Sequence, residues 1–324
     1  MLSFVRPLWA IYFIIVFDTI WVLRVCYFVI YLTTSWSRFR RAMRTNWPNK
    51  LNEITNWQRY YHIVFLPTYK EDLGVIRDTF NGLIKADYPH DHLIVVLAGE
   101  ERDQENFSRH AEAIQHEFGE KFAALVITLH PHGLDGEIAS KGSNLNWAGH
   151  KVKEIVDARM LPYENIIVSA FDIDTVVHPH YFASLTYTFA THTNPYRTSF
   201  QPIALYNNNI WSASAIMRVA SFGTTFWLLT ELAKPERLFT FSSHAMSWCA
   251  LVDVGFWERD VVTEDSRIFV QCLLYYHGDY TVTPLFTPVS MDTVTGDTPL
   301  HGLINLYKQQ RRWAWGIEHF PYML

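Results

Sequence analysis

Two carboxylates one residue apart, Asp172 and Asp174, follow a short β-branched run at residues 166–168. In an extended chain residues i and i+2 point to the same side, so both can face one ligand. Two hard oxygen donors past a strand end suit Mg²⁺ or Mn²⁺ carrying a diphosphate. The competing reading is a loop start or a cap for the helix that His178-Pro179 announces. Lys141 lies in a Ser-Lys-Gly-Ser-Asn segment just before a predicted helix. A cation there favours a phosphate, and an exposed lysine is the alternative. Glu264 and Asp265 follow the β-branched pair Val261 and Val262. Asp265 reads as a general base for a sugar hydroxyl, or as the N-cap of a helix over 266–274.

A third group sits near the end. Gln309, Arg312 and Trp313 are spaced i, i+3 and i+4, which gathers them on one helical face. Arginine suits a diphosphate and tryptophan the apolar face of a sugar ring. Leu303, Ile304, Leu306 and Tyr307, with Lys308 and Arg311 nearby, equally describe a helix lying on a membrane, and the two readings fit different faces.

These residues need elements to hold them. Residues 63–66, 93–98, 124–129 and 166–168 read as strands, and 75–86, 103–118 and 144–158 as helices. This alternation predicts a doubly wound, mainly parallel α/β sheet, whose ligands bind beyond the carboxyl ends of its strands. Thr68, Glu100, Asp172 and Asp174 then share one rim. After Asp174 the alternation weakens. Residues 199–205 read as a strand or an edge because of Pro202; 213–232 is apolar and long enough to raise a second membrane span, but Arg218, the Gly223-Thr-Thr run and Glu231 favour buried helices flanking the site.

Residues 8–33 are apolar enough to cross a bilayer, interrupted by Asp18 and Arg24, which are expected to face a partner, water or each other. Arg38, Arg40, Arg41 and Arg44 follow, against Arg6 before, so the remainder is expected in the cytoplasm. The divisions expected are 1–45 for the membrane helix and its basic flank, 46–300 for the catalytic domain and 301–324 for an interfacial helix. The net charge of −5 argues against nucleic acid as a partner. Three cysteines form neither a metal spacing nor an even framework.

The ordered set Pro67-Thr-Tyr-Lys-Glu71, Lys141-Gly-Ser-Asn-Leu-Asn146, Asp172-Ile-Asp174, Thr263-Glu-Asp265 and Gln309-x-x-Arg312-Trp313 resembles the membrane-bound family 2 glycosyltransferases of the cellulose synthase and hyaluronan synthase type. The resemblance implies a GT-A fold, a nucleotide-diphosphate sugar donor, Mg²⁺ or Mn²⁺, and inversion at the anomeric carbon. It implies a nucleoside pocket at Thr68, Tyr69 and Glu71, and donor phosphates near Lys141, Gln309 and Arg312. It also implies a nucleotide and metal role for Asp172, a metal ligand at Asp174, a catalytic base at Asp265 with Glu264 beside it, and an acceptor sugar against Trp313. Glu100 or Glu101 stands where many relatives carry an aspartate pair for base and ribose. His244 stands in a segment that is often Gly-rich beneath the acceptor; it is expected to influence acceptor choice or to be structural. Relatives continue past the Gln-x-x-Arg-Trp helix into further transmembrane helices. The activity implied is sugar transfer to a growing polysaccharide. The alternatives are single-sugar transfer to a membrane lipid, a non-catalytic membrane subunit, or a nucleotidyltransferase.

Overall fold

The computed structural model describes residues 2–296 and 298–323. Its helices are α1 (Leu2–Val5), α2 (Pro7–Arg44), α3 (Trp47–Leu51), α4 (Leu73–Ile84), α5 (Gln104–Phe118), α6 (Lys141–Ala158), α7 (Tyr181–Thr191), α8 (Ala215–Leu232), α9 (Trp248–Asp253), α10 (Glu264–Tyr275), α11 (Pro299–Ala314) and α12 (His319–Met323). Its strands are β1 (Tyr61–Pro67), β2 (Leu93–Glu100), β3 (Ala124–His130), β4 (Ile166–Ala170), β5 (Val176–Val177), β6 (Thr198–Tyr206), β7 (Ala245–Ser247) and β8 (Thr281–Met291).

One mixed sheet runs β3-β2-β1-β4-β7-β6-β8-β5. β1, β2, β3 and β4 are mutually parallel. Helices cover such strands on both faces, which is why their apolar runs are nearly continuous; all eight residues of β2 are buried. β7 then pairs antiparallel with both β4 and β6, and β6 runs parallel to β8. Because β1 is parallel to β2 and β4, their carboxyl ends lie on one side. Thr68, Glu100 and Asp172 therefore share the expected rim.

Several sequence expectations change. Pro202 lies inside the sheet, not at its edge. β7 pairs only with Ser199 and Phe200 of β6, and the β6–β8 register shifts between Pro202 and Ile203. The missing N–H thus falls where one ladder has ended and the other is irregular. The polar stretch 46–57, which by composition reads as a linker, carries a helix: Asn46 caps α3, its side chain accepting from the Asn49 amide. The stretch 213–232 is not wholly buried. It forms the single helix α8, with Leu228, Leu229 and Leu232 inside but Val219 73% exposed. Asp18 and Arg24 are both exposed, which leaves the expectation of a partner or water standing, and the Arg24 guanidinium lies 5.5 Å from the centre of the Trp21 ring.

The core beneath the rim carries a buried titratable group. His62 of β1 is fully buried, with Nε2 2.8 Å from Thr186 Oγ1 and its ring edge-on to Tyr88 and Phe182. Burial, with a smaller push from His92, lowers its pKa to about 3. Between that value and the ordinary 6.5 the unfolded chain binds a proton that the folded chain refuses. Stability is therefore undiminished above pH 6.5 and falls as pH drops towards 3. The dependence contributed by this residue is about 1.4 kcal/mol per pH unit. Denaturant titrations between pH 6 and 4.5 are expected to show a slope shallower by that amount in His62→Gln than in the wild type.

Candidate active site

The site begins with how α6 starts. Ser140 caps the helix in a capping box with Ser143, which places Lys141 at the first helical position rather than ahead of the helix. Asn144 donates to the Ala98 carbonyl at 2.8 Å, and Asn146 to the Trp257 carbonyl at 2.7 Å. These two bonds tie α6 to the end of β2 and to the segment preceding α10. Gly142 makes the approach possible. A Cβ there would meet the Glu258 carbonyl oxygen at 2.6 Å and Glu264 Cβ at 3.0 Å. Gly142→Ala is expected to cost about 1–3 kcal/mol through overpacking, read as a lowered thermal midpoint. Gly74→Ala, where nothing lies within 4 Å, should leave the midpoint unchanged or raise it, since alanine is the better helix former.

Lys141 is the hub of the carboxylates. Its ammonium lies 2.5 Å from Asp172 Oδ1 and 3.3 Å from Glu264 Oε1. Burial opposes its charge, but Asp172, Glu264 and Asp265 outweigh burial and hold its pKa above the usual lysine value. Asp172 Oδ2 accepts from the Ser242 hydroxyl at 2.5 Å. For Asp172, burial is overcome by Lys141, Ser242 and Arg312, so its pKa is lowered.

Asp174 behaves oppositely. β4 ends at Ala170, and the Thr175 amide donates to the Asp172 carbonyl, so the two aspartates sit in a turn rather than in extended chain. They still share one electrostatic site. Burial, then the charge of Asp172, push Asp174 up to about 7. Its Oδ2 accepts from the Asp292 amide at 3.0 Å, whereas its Oδ1 is buried with no hydrogen-bond partner. An unpaired buried carboxylate oxygen is costly. A hard divalent cation would satisfy it; Asp172, whose two oxygens are held by Lys141 and Ser242, would exchange one of those contacts to serve as a second donor, and among the described residues no three His, Cys, Asp or Glu side chains gather as a metal site.

Asp265 lies inside α10, whose N-cap is Thr263, so it is not the cap itself. Its Oδ1 accepts from the Ser266 amide at 2.8 Å, and its carbonyl accepts from Thr240 at 2.6 Å. Burial raises its pKa against the pull of Lys141, and Asp172 adds to the rise. Glu264, also buried, is pushed up to about 7 by burial working against Lys141, with Asp265 reinforcing it. Two carboxyls moved towards neutrality beside a lysine and a depressed aspartate resemble a proton-handling site rather than a surface ion pair.

The other expected residues divide by position. Thr68 Oγ1 and the Tyr69 amide both donate to Glu71 Oε2, at 2.9 and 2.5 Å, so Glu71 braces its own loop. Glu100 is held by Arg102, whose guanidinium lies 4.4 Å from the centre of the Tyr69 ring. Glu101 instead accepts from the His132 amide at 2.7 Å. Gln309 and Trp313 of α11 line a narrow crevice with Tyr206 and residues of α8. Arg312 is exposed, and its charge reaches Asp172 and Asp265. His244 is 2% exposed, with Nδ1 3.0 Å from the Phe241 carbonyl, which makes it an interior group at this site.

Two contributors escaped the sequence reading. Ser242, the hydroxyl partner of Asp172, sits two residues before His244. Tyr206 ends β6, and its pKa is raised first by burial and then by Asp172, Asp174 and Asp265. It thus lies within electrostatic reach of all three carboxylates, and as a strand-end tyrosine it gave no motif to find.

With this geometry described, residues 167–323 match the family described as Glycosyl transferase family group 2. The matched stretch contains Asp172, Asp174, Glu264, Asp265, Gln309, Arg312 and Trp313, while Thr68, Tyr69, Glu71, Glu100 and Lys141 precede it. Among solved structures, the chain is similar to the mannosyltransferase PcManGT from Pyrobaculum calidifontis in complex with GDP-Man and Mn²⁺, at 18% identity and TM-score 0.47, covering 85% of this chain and 68% of that one. It is also similar to TarS 1-349 of S. aureus in complex with UDP-GlcNAc, at 13% identity and TM-score 0.45, covering 75% and 60%. The chain thus spans less than two thirds of the TarS fragment. Likenesses this distant carry no argument about this chain's activity. No curated protein sequence matches it.

Proposed function

We propose that the chain is an inverting, metal-dependent glycosyltransferase with a GT-A-type catalytic domain. In this reading it moves a sugar from a nucleotide-diphosphate donor to a growing polysaccharide at the membrane. The observation that carries the proposal is Lys141 holding Asp172 and Glu264 beside Asp174, whose Oδ1 is buried and unpartnered. Asp265 takes the proton from the acceptor hydroxyl. The hydroxyl oxygen attacks the anomeric carbon as the bond from that carbon to the diphosphate oxygen breaks, and the nucleoside diphosphate leaves with its electron pair. Lys141 and Arg312 offset the charge that develops on the leaving group. Asp174 and Asp172 would hold Mg²⁺ or Mn²⁺, which supplies further positive charge to the diphosphate when bound. Thr68, Tyr69, Glu71 and Glu100 would line the nucleoside pocket, with Gln309 near the phosphates and Trp313 under the acceptor. His244 is assigned a supporting position beneath that acceptor.

The membrane assignment rests on α2. Among the described residues it is the one helix long and apolar enough to cross a bilayer. The basic residues after it orient the catalytic domain to the cytoplasm. Asp174→Asn is expected to weaken Mn²⁺ binding at least tenfold, read by the free-ion electron paramagnetic resonance signal; unchanged affinity would remove Asp174 from the metal site. Product length with a labelled donor separates the acceptors. A ladder of lengths supports the polysaccharide, and single additions to lipid support the second reading.

A further inference from the structure

The chain past Trp313 comes back onto the helix that carries Asp265. It leaves α11, turns through Trp315–Glu318, and α12 then packs on α10. A buried imidazole needs polar partners. His319 is 7% exposed, and its Nε2 lies 2.8 Å from the Ser266 hydroxyl oxygen. That hydroxyl donates to the Thr263 carbonyl at 3.3 Å. Its proton is thereby engaged, and its oxygen is left to accept. His319 is then the donor, with a proton on Nε2.

Ser266 is also the residue that holds the base. Its amide donates to Asp265 Oδ1 at 2.8 Å. One serine therefore ties Asp265 to α12, through its amide on one side and its hydroxyl on the other. The main chain of Asp265 is fixed separately, its carbonyl accepting from Thr240 at 2.6 Å. The rotation of the carboxylate is what the Ser266 amide sets.

A second fastening lies one turn further along α12. The Arg267 guanidinium carbon is 3.8 Å from the centre of the Tyr322 ring, a cation–π contact. Arg267 Nε is in turn 3.4 Å from Glu258 Oε2. Burial, then a hydrogen bond with Glu258, pushes the Tyr322 phenol up to about 12. Glu258 belongs to the segment against which Gly142 packs, beside Lys141. α12 is thus pinned to the residue after the base and to the segment before it.

From these contacts we propose that His319 is a positioning residue for Asp265, acting through Ser266, and that α12 is the strap that sets the base on α10 against Arg312 on α11. The inference rests on the transferase reading, in which Asp265 takes the acceptor proton while Arg312 offsets charge on the departing diphosphate. Reacting groups of this kind must be held within about 0.5 Å of the productive geometry. His319 touches neither donor nor acceptor in this reading, so its loss acts on kcat and not on donor binding.

The test uses the full chain in membranes, with the donor that the wild type turns over. His319→Leu is expected to lower kcat about 10- to 100-fold, the loss that a misplacement of about 1 Å at a reacting group causes, with donor KM unchanged. His319→Gln, whose amide N–H reaches the same hydroxyl, is expected to recover most of that loss. Ser266→Ala keeps the amide and removes the hydroxyl, so adding His319→Leu to it should cost nothing more. If His319→Leu does not fold, Ser266→Ala takes its place, with the same split of kcat from KM expected. Unchanged kcat, a donor KM that rises as kcat falls, a Gln variant as slow as the Leu variant, or additive losses in the double variant would each overturn the proposal and leave the transferase reading intact. A wild type that releases nucleoside diphosphate from no donor overturns both.

Discussion

Asp265→Asn is expected to lower turnover about 10³-fold, within the range that loss of a general base produces, while donor affinity changes little. The carboxylate is held by the Ser266 amide and by the start of α10, and an amide side chain keeps that acceptor bond. Its pKa is raised by burial, so the wild-type carboxylate is a stronger base than an exposed aspartate. Asparagine has the same shape and no basicity. The measurement is donor affinity by calorimetry set against single-turnover transfer. A variant that loses affinity and turnover in equal proportion would make Asp265 a binding residue instead.

Lys141→Met is expected to damage both stability and activity. It leaves Asp172 and the buried Glu264 facing each other without the ammonium between them. Breaking a buried pair costs roughly 3–5 kcal/mol. The loss here belongs at the low end, because 35% of the Asp172 side chain remains exposed and solvent screens it. Adding Glu264→Gln should restore part of the loss, since the stranded charge is removed. Turnover should fall at least 10²-fold in both variants, as expected when a charge aimed at the leaving group is deleted. Urea midpoints of the wild type, the two single variants and the double variant give the coupling. Simple additivity would contradict the shared role of Lys141.

What could be read from the sequence was local. Residues 93–98 are a β-branched and apolar run that any parallel sheet must bury, whereas which strands pair, β1 with β2 and β4, was not legible. Asp172 and Asp174, Glu264 and Asp265, and the Gln309 helix were legible because their spacing lies within one turn or one loop. The contacts that make them a site were not. Ser242 meets Asp172 across 70 residues, and Tyr206 reaches the carboxylates through the irregular β6–β8 ladder, which no periodicity announces. The extended geometry expected for Asp172 and Asp174 failed because β4 stops two residues earlier and the chain turns. The burial expected for α8 failed for another reason: its composition is that of a core helix, yet among the described residues only the side carrying Met217, Leu228, Leu229 and Leu232 is buried.

The central claim is that the cluster of Lys141, Asp172, Asp174, Glu264 and Asp265 transfers sugar from a nucleotide-diphosphate donor. The most direct measurement offers a panel of nucleotide sugars to membranes carrying the full chain with Mn²⁺ or Mg²⁺ and identifies the nucleotide released. Release of a nucleoside diphosphate from one donor, abolished by EDTA and by Asp174→Asn, is the predicted result. Release of pyrophosphate, or nucleoside diphosphate release that survives both treatments, would contradict it.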